Sequence, residues 1–394
     1  MTDHIGQSQV VPYLVGLAAM GYRIHVLSAE KKGKDEAVAR CRTQLDQAGI
    51  EWTHVRYHNS PPLIGTVFDF VRMTWIARRI VKSKPINFLH CRSFPPAVIG
   101  YQIFKKFRVP YVFDFRDFYA DGGLHNKRFK FVYRYLKRLE GPMIVNAAKV
   151  VCLTQRAREV LSDWYCANSG DTTHFSVIPC CADFDHFDPT LVGAEQRQAL
   201  RARLGIASTS TVLLYLGSLG PDYLLADMIR LFNCVLHQDP TAVFLFLSNN
   251  GKSLVEQECA AQGVAAASIR FTSAERAEVP SYISIATLSV VFIRADISKA
   301  GCSPTKLAEL FACNVPVVAN AGVGDLDQIV DPEQNGSILV SDFSERSLSE
   351  AVVRILEIQR GSAVNIRRNS TEFALSTGVA KYAAVYADLR AERN

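Results

Sequence analysis

Cys302-Ser303-Pro304-Thr305-Lys306-Leu307-Ala308-Glu309-Leu310-Phe311-Ala312-Cys313-Asn314-Val315-Pro316-Val317-Val318-Ala319-Asn320-Ala321-Gly322-Val323-Gly324-Asp325 decides how this chain is read. It has the form of a capped helix, a tight turn, a buried strand and a glycine-containing loop. Ser303 suits an N-cap and Pro304 the first helical position, where a missing N–H costs nothing. Asn314 then ends the helix and Pro316 opens the strand. Such a helix start offers unsatisfied N–H groups and a positive dipole end, to which Lys306 adds a full charge, and the combination suits a phosphate. Glu309 follows at i+3 on the same helix surface. A lysine for phosphate and a carboxylate for ribose hydroxyls together describe a nucleotide; an ordinary Lys/Glu pair on an amphipathic crossover helix is the plainer alternative.

Outward from this stretch the pattern is one of steady alternation. Tyr22–Ala29, Glu51–Tyr57, Asn87–Arg92, Tyr111–Arg116, Lys149–Thr154 and Phe175–Pro179 have strand character, with helical periodicity between them. A second series runs through Thr211–Gly217, Ala242–Ser248, Ser268–Thr272, Leu288–Arg294, Pro316–Ala321 and Gly336–Val340. Alternation of this kind implies α/β domains with mostly parallel sheets covered by helices on both faces. At 394 residues the chain exceeds one core of usual size, so two doubly wound domains are expected. Facing each other, they would share a cleft at the carboxyl ends of their strands. The boundaries expected are 1–186, 187–365 and a helical segment 366–394 that packs back toward the first domain, with Cys180–Asp188 as the connection.

The opening is unusual. Gly6, followed by Ser8 as N-cap, reads as a glycine loop feeding a helix over 8–20, with no strand before it. A doubly wound domain normally feeds such a loop from a buried first strand, so the expectation is a truncated chain or a start codon assigned too late.

Composition is that of a globular protein, 48% hydrophobic and 21% charged. A net charge of +6 argues against a nucleic-acid-coating protein and permits a local basic patch. Ten cysteines form no CxxC pair and lie mostly in apolar runs, as buried thiols of a reducing compartment do. No apolar run reaches the roughly 20 residues of a membrane span. These features together suggest a cytoplasmic protein. Lys127, Arg128, Lys130, Arg134, Lys137 and Arg138 alternate with aromatics along a helix expected over His125–Glu140, a composition that fits the inner surface of an anionic bilayer. Arg72, Arg78, Arg79, Lys82 and Lys84 are candidates to extend the patch; a solvated face is the competing reading.

Polar clusters end two strands of the first half, His90-Cys91-Arg92-Ser93 and Asp114-Phe115-Arg116-Asp117, where side chains face a ligand more often than a core. Asp114, Arg116 and Asp117 suit hydroxyls or a phosphate, and His90 a substrate hydrogen bond; a structural salt bridge is the alternative. In the second half Gly217, Ser218 and Gly220 form a turn narrow enough for a pyrophosphate, without a full dinucleotide fingerprint. Asp325 and Asp327 form no metal clamp and suit helix capping.

These landmarks resemble the GT-B glycosyltransferases, in the large retaining family called family 4. They are the Gly6-Gln7-Ser8 opening, Pro110-Tyr111-Val112 through Asp117, Ile178-Pro179, Tyr215-Leu216-Gly217-Ser218 and the Ser303–Asp325 stretch. The resemblance implies transfer of a sugar, with retention and without a metal or other cofactor, from a UDP- or GDP-type sugar to a glycan or lipid-linked acceptor in surface polysaccharide or glycolipid assembly. It implies Glu309 for the ribose, and Lys306 with the amides near Ser303 and Thr305 for the diphosphate. Gly217 and Ser218 would form the facing wall. His90, Arg116 and Asp117 would be catalytic, and Gly6, Gln7 and Asp114 would bind the acceptor. Three departures stand out. Gly301 occupies the place of the family's first paired glutamate, Arg116 that of a histidine, and Leu219-Gly220-Pro221-Asp222-Tyr223 that of the arginine and lysine after the first donor-domain strand. A nucleotide-sugar epimerase of the same architecture, or a binding protein that has lost catalysis, are the other readings.

Overall fold

A computed structural model describes residues 1–58, 62–123, 129–167, 174–361 and 364–391. The chain divides into two compact units, Met1–Cys180 with Leu375–Asn394, and Cys181–Ala374.

Unit 1 begins with helices α1 (His4–Gln9) and α2 (Val11–Ala19), followed by β1 (His25–Glu30), α3 (Asp35–Gln47), β2 (Glu51–Arg56) and α4 (Pro62–Ser83). It continues through β3 (Leu89–Arg92), α5 (Phe94–Phe107), β4 (Tyr111–Phe115), α6 (Tyr119–Gly123), α7 (Lys130–Val145), β5 (Lys149–Cys152), α8 (Gln155–Tyr165) and β6 (Phe175–Val177). All strand pairs are parallel, and they form a two-stranded sheet β1-β2 and a four-stranded sheet β3-β4-β5-β6.

Unit 2 runs α9 (Ala194–Arg203), β7 (Val212–Leu216), α10 (Leu225–Gln238), β8 (Val243–Leu247), α11 (Lys252–Ala261), β9 (Ile269–Thr272), α12 (Val279–Ile283) and β10 (Leu288–Val291). Then follow α13 (Thr305–Ala312), β11 (Val317–Asn320), α14 (Leu326–Ile329), α15 (Pro332–Asn335), β12 (Ile338–Val340), α16 (Glu345–Arg360) and α17 (Ile366–Asn369). The last helix, α18 (Leu375–Ala391), belongs to unit 1.

The six strands of unit 2 lie in the order β12-β11-β10-β7-β8-β9, all parallel. Both faces are buried. Val212, Leu214 and Leu216 enter one apolar cluster while Leu213 and Tyr215 enter the other, which is why β7 reads as an unbroken apolar run instead of alternating. The order reverses direction between β7 and β10, so the loops after these two strands diverge and leave a crevice at their carboxyl ends.

All twelve expected strands are present, most of them shortened at one or both ends, with β1 moved toward Glu30. The start of the chain differs from expectation. Gly6 lies inside α1, not in a loop; Asp3 caps that helix by accepting the Gly6 N–H at 2.7 Å, and the expected 8–20 helix is broken at Val10. Ser8 caps nothing and turns its hydroxyl to the His4 carbonyl. In unit 1, β1 and β3 are not hydrogen-bonded to each other.

The boundaries also move, from 186/187 to 180/181 and from 365/366 to 374/375. The reason is packing: Phe187, Ile366 and Phe373 sit in the same core cluster as Leu307 and Phe311 of α13. Arg367 locks this join. Its guanidinium donates to the carbonyls of Phe184, Phe187 and Ala312 at 2.9–3.1 Å, and its N–H to Asn314 Oδ1 at 2.9 Å. Asn314 itself has φ 57°, the left-handed conformation that ends the helix as the sequence suggests. Arg367→Met keeps the aliphatic stem and strips three carbonyls of a charged donor, at about 2 kcal/mol. Hydrogen exchange of the amides around Cys313–Val315 is expected to quicken roughly 30-fold, whereas unchanged protection means water replaces the guanidinium.

Candidate active site

The crevice of unit 2 is built from the loop after β7 and the helix reached from β10. Gly217 follows β7 directly with φ 109°, a conformation that side chains strain against. Its N–H bonds to the Leu247 carbonyl at 3.0 Å, and the next turn is pinned by Asn250, which accepts from Leu219 N–H at 3.0 Å and donates to the Leu219 carbonyl at 2.8 Å. Across from it, α13 starts at Thr305. Pro304, not Ser303, is the N-cap, and no side chain caps the helix. A β-region proline before Thr305 cannot be a first helical residue, so the helix start lies one position beyond the one expected from sequence.

Lys306 is the centre of this arrangement. Its side chain passes between two tyrosines, with Nζ 4.3 Å from the ring centroids of both Tyr215 and Tyr223. Nζ is buried and has no hydrogen-bond partner among the described residues. A Cβ on Gly217 would lie 3.4 Å from it, in van der Waals contact, so glycine there brings bare backbone up to the ammonium. Burial pushes the Lys306 pKa down to about 7, with Glu309 partly opposing. Glu309, one turn on, is raised to about 7 by burial, against the pull of Arg276 and Lys306; the Arg276 guanidinium is 3.9 Å from its carboxylate. The tyrosine rings offer the ammonium a π-face but no acceptor. This is a buried ammonium with no acceptor among the described residues.

The remaining unit 2 residues fall as follows. Ser303 and Thr305 flank the helix start, half-buried. The Ser218 carbonyl accepts from the Tyr215 hydroxyl at 2.9 Å. Gly301 is buried in a short 3-10 segment, Ile297–Gly301, capped by Asp296. Asp327 accepts from Gly322 N–H at 2.8 Å, a loop-closing role.

In unit 1, β3 and β4 are in register with Arg92 opposite Asp114 and His90 opposite Val112. The period of two therefore sets His90, Arg92, Asp114 and Arg116 on one face of the sheet. His90 Nδ1 is 2.6 Å from the Tyr386 hydroxyl and Nε2 is 3.2 Å from Asp114, so both ring nitrogens are engaged. Arg116 donates to Asp114 at 3.3 Å and to Cys180 Sγ at 3.3 Å. Burial alone would raise the Asp114 carboxyl, but Arg116 and the His90 hydrogen bond hold it well below the usual range. Asp117 is exposed on the loop that follows. Gly6 and Gln7 are not part of a ligand loop: Gln7 donates to the Met1 carbonyl at 3.0 Å, and a Cβ on Gly6 would run into that same carbonyl oxygen.

Tyr215, Tyr223 and Arg276 in unit 2, and Tyr382 and Tyr386 in unit 1, join these clusters without a role assigned from sequence, and Arg92, quoted there in its cluster, has none either. Tyr223 stands where the resemblance leads one to expect a basic residue, and that is its one signal. The basic helix is α7. Lys127 and Arg128 lie outside the described residues, and Lys137 is no surface charge, since it bridges Asp121 and buried Glu140 at 2.7 Å each. Of the proposed extension, Lys84 pairs with Glu51 and Arg78 donates to Gln102.

The family described as "Glycosyl transferase 4-like domain" matches residues 7–180, and "Glycosyl transferases group 1" matches residues 210–358. No curated protein matches the chain by sequence. Among solved structures, sucrose-phosphate synthase of Thermosynechococcus elongatus is similar with a TM-score of 0.69 at 15% identity, over 94% of this chain and 100% of that one. HepE of Anabaena, solved in complex with UDP and glucose, gives 0.65 at 15% identity over 93% and 100%. WaaG, a glycosyltransferase involved in lipopolysaccharide biosynthesis, gives 0.63 at 15% identity over 91% and 99%.

A buried ammonium without an acceptor destabilises the unliganded chain. Because the folded pKa of Lys306 lies below its unfolded value, the unfolded state binds the extra proton between about pH 7 and 10, and stability rises with pH across that window. Lys306→Met should therefore melt higher than the parent at pH 7, with the advantage shrinking toward pH 10. A lower melting temperature at pH 7 would show that the ammonium is satisfied after all.

Proposed function

Because the chain belongs to the glycosyltransferases of the GT-B type, we propose that unit 2 binds a nucleotide-diphosphate sugar and that its sugar passes to an acceptor held by unit 1. The observation that carries the reading is the unpartnered Lys306 ammonium at the β7/β10 switch point, beside a glycine whose backbone leaves room for a diphosphate. Lys306 and the start of α13, around Ser303 and Thr305, take the diphosphate; Gly217 and Ser218 form its wall; Glu309 takes the ribose. As the bond from the anomeric carbon to the phosphate oxygen breaks, its electron pair stays on the diphosphate, whose growing charge Lys306 is already placed to stabilise. The acceptor hydroxyl oxygen bonds to the same carbon and its proton passes to the departing diphosphate oxygen, with retention and without a metal in this proposal. Arg116, fixed by Asp114 and through it by His90, faces the acceptor, and exposed Asp117 is the carboxylate that approaches it. A donor with UDP or GDP as its nucleotide suits the site; HepE was solved with UDP and glucose.

A surface feature favours work at a membrane on lipid-linked acceptors. Ile64, Val67, Phe68, Val71 and Trp75 recur at helical spacing on α4 and are 54–69% exposed. The other side of the helix packs Phe70, Met73, Ala77 and Val81 against Ile99, Ile103 and Val109. Arg72, Arg79 and Lys82 are exposed on the same helix, and its carboxylate, Asp69, is buried against His58. On α7, exposed Lys130, Arg134 and Arg138 accompany exposed Phe131 and Tyr135. Apolar stripes edged with cations fit an anionic bilayer.

A thermal-shift panel of UDP- and GDP-sugars tests the donor site. Stabilisation is expected from at least one, lost in Lys306→Ala and Glu309→Ala and kept in Asp327→Ala; no shift with any nucleotide sugar sinks the reading. For the surface, co-sedimentation with phosphatidylcholine vesicles containing phosphatidylglycerol should weaken with salt and fall several-fold in the double variant Val71→Glu/Trp75→Glu. Equal pelleting of parent and variant would leave α4 without a role at the bilayer.

A further inference from the structure

We infer that the polar face at the carboxyl ends of β3 and β4 receives an anionic group, a phosphate or a carboxylate, carried by the acceptor and held by Arg92 and Arg116. The inference rests on the reading of unit 1 as the acceptor half and adds the chemical class of what it accepts.

The charges on this face do not balance. Asp114 is the carboxylate that the two guanidiniums share, and it is taken by Arg116 and His90. Arg92 stands opposite Asp114 in the strand register yet makes no side-chain hydrogen bond or ion pair among the described residues. Arg116 Nε is buried and likewise has no acceptor. A guanidinium carries five N–H donors, and here two cations are arranged around one anion. Burial and the nearness of Arg116 both pull the Arg92 pKa down, with Asp114 opposing only in part.

A structural salt bridge needs only one arginine. If Asp114 had simply to be neutralised, Arg116 would suffice, and Arg92 would be a second half-buried charge that destabilises the fold. A neutral acceptor needs hydroxyl-binding groups of both kinds, whereas the groups left over here are cationic donors. The fork of Arg92, with the Arg116 cation beside it, matches the planar or tetrahedral oxygens of a carboxylate or phosphate. The walls are in place as well. Tyr382 and Tyr386 of α18 lie against His90, with ring centroids 5.4 and 5.9 Å away, and Tyr13 of α2 meets Tyr382 edge-on at 5.6 Å. Aromatic surface beside an anion pocket suits a sugar ring that bears the charge.

The full chain carrying Lys306→Ala is titrated calorimetrically with glucose 6-phosphate, glucuronate and glucose, so that anions cannot bind at the donor lysine. One or both charged sugars should bind at least tenfold more tightly than glucose, and the better one identifies phosphate or carboxylate. Adding Arg92→Gln should weaken that binding at least tenfold, and Arg92→Lys should restore part of it. Equal affinity for glucose, an unchanged affinity in Arg92→Gln, or loss of all anion binding with Lys306→Ala alone overturns the inference. Should Arg92→Gln not fold, the better charged sugar must protect Arg92 from phenylglyoxal, read by peptide mass spectrometry, and no protection overturns it equally. UDP binding is measured separately in the chain with Lys306 intact. It fails if the donor reading is wrong and leaves the outcome for Arg92 unaffected.

Discussion

The structure turns on an ammonium that the fold buries and does not satisfy. Lys306 is held between Tyr215 and Tyr223, behind a glycine, at the point where the strand order of unit 2 reverses. Each of these is needed for the others. The reversal sets α13 against the loop after β7, the absence of a side chain at Gly217 brings bare backbone to the ammonium, and the two rings offer it only a π-face. Folding alone would favour methionine at this position. The lysine makes sense as half of an interaction whose other half arrives with negative charge.

The surrounding architecture holds that half-interaction still. The apolar run of β7 buries both faces of the sheet and fixes where its last residue, Leu216, delivers Gly217. At the far end of α13, Asn314 in the left-handed conformation and Arg367 on three carbonyls anchor the helix to segments distant in sequence. The start of α13 therefore has little freedom to move the ammonium toward solvent. Preorganisation of this kind lets a fixed charge act on a developing one without reorientation.

Strand positions were legible because a buried parallel strand is a short apolar run and nothing else in this chain looks like one. The lysine and the carboxylate three residues on were legible too, as residue types at a helix start. What the pattern could not convey was burial without a partner, since that depends on Tyr215 and Tyr223 meeting across a turn. Helix starts were misplaced where a residue outside the expected motif took the capping position. Asp3 draws Gly6 into α1, and Pro304 takes the place assigned to Ser303. The unit boundary moved for a similar reason, because Arg367 and Phe373 look like the start of a terminal helix and are in fact part of a core and its anchor. In unit 1 the two expected clusters exist, but that Arg92 stands opposite Asp114 follows from the register of β3 against β4, which is a property of two strands together.

The two units use one physical device in different ways. Unit 2 places a single compact ammonium, whose pKa burial pushes down to about 7. Unit 1 places guanidiniums, which stay charged throughout and hold geometry through their forks. Under the proposed function, the ammonium faces the charge that develops on the diphosphate, and the guanidiniums face a charge on the acceptor that stays constant. Where the chain departs from its relatives' expected pattern, at Gly301 and Arg116, it lacks a carboxylate in one unit and carries an arginine in the other. Both departures shift the balance of buried charge toward binding anions.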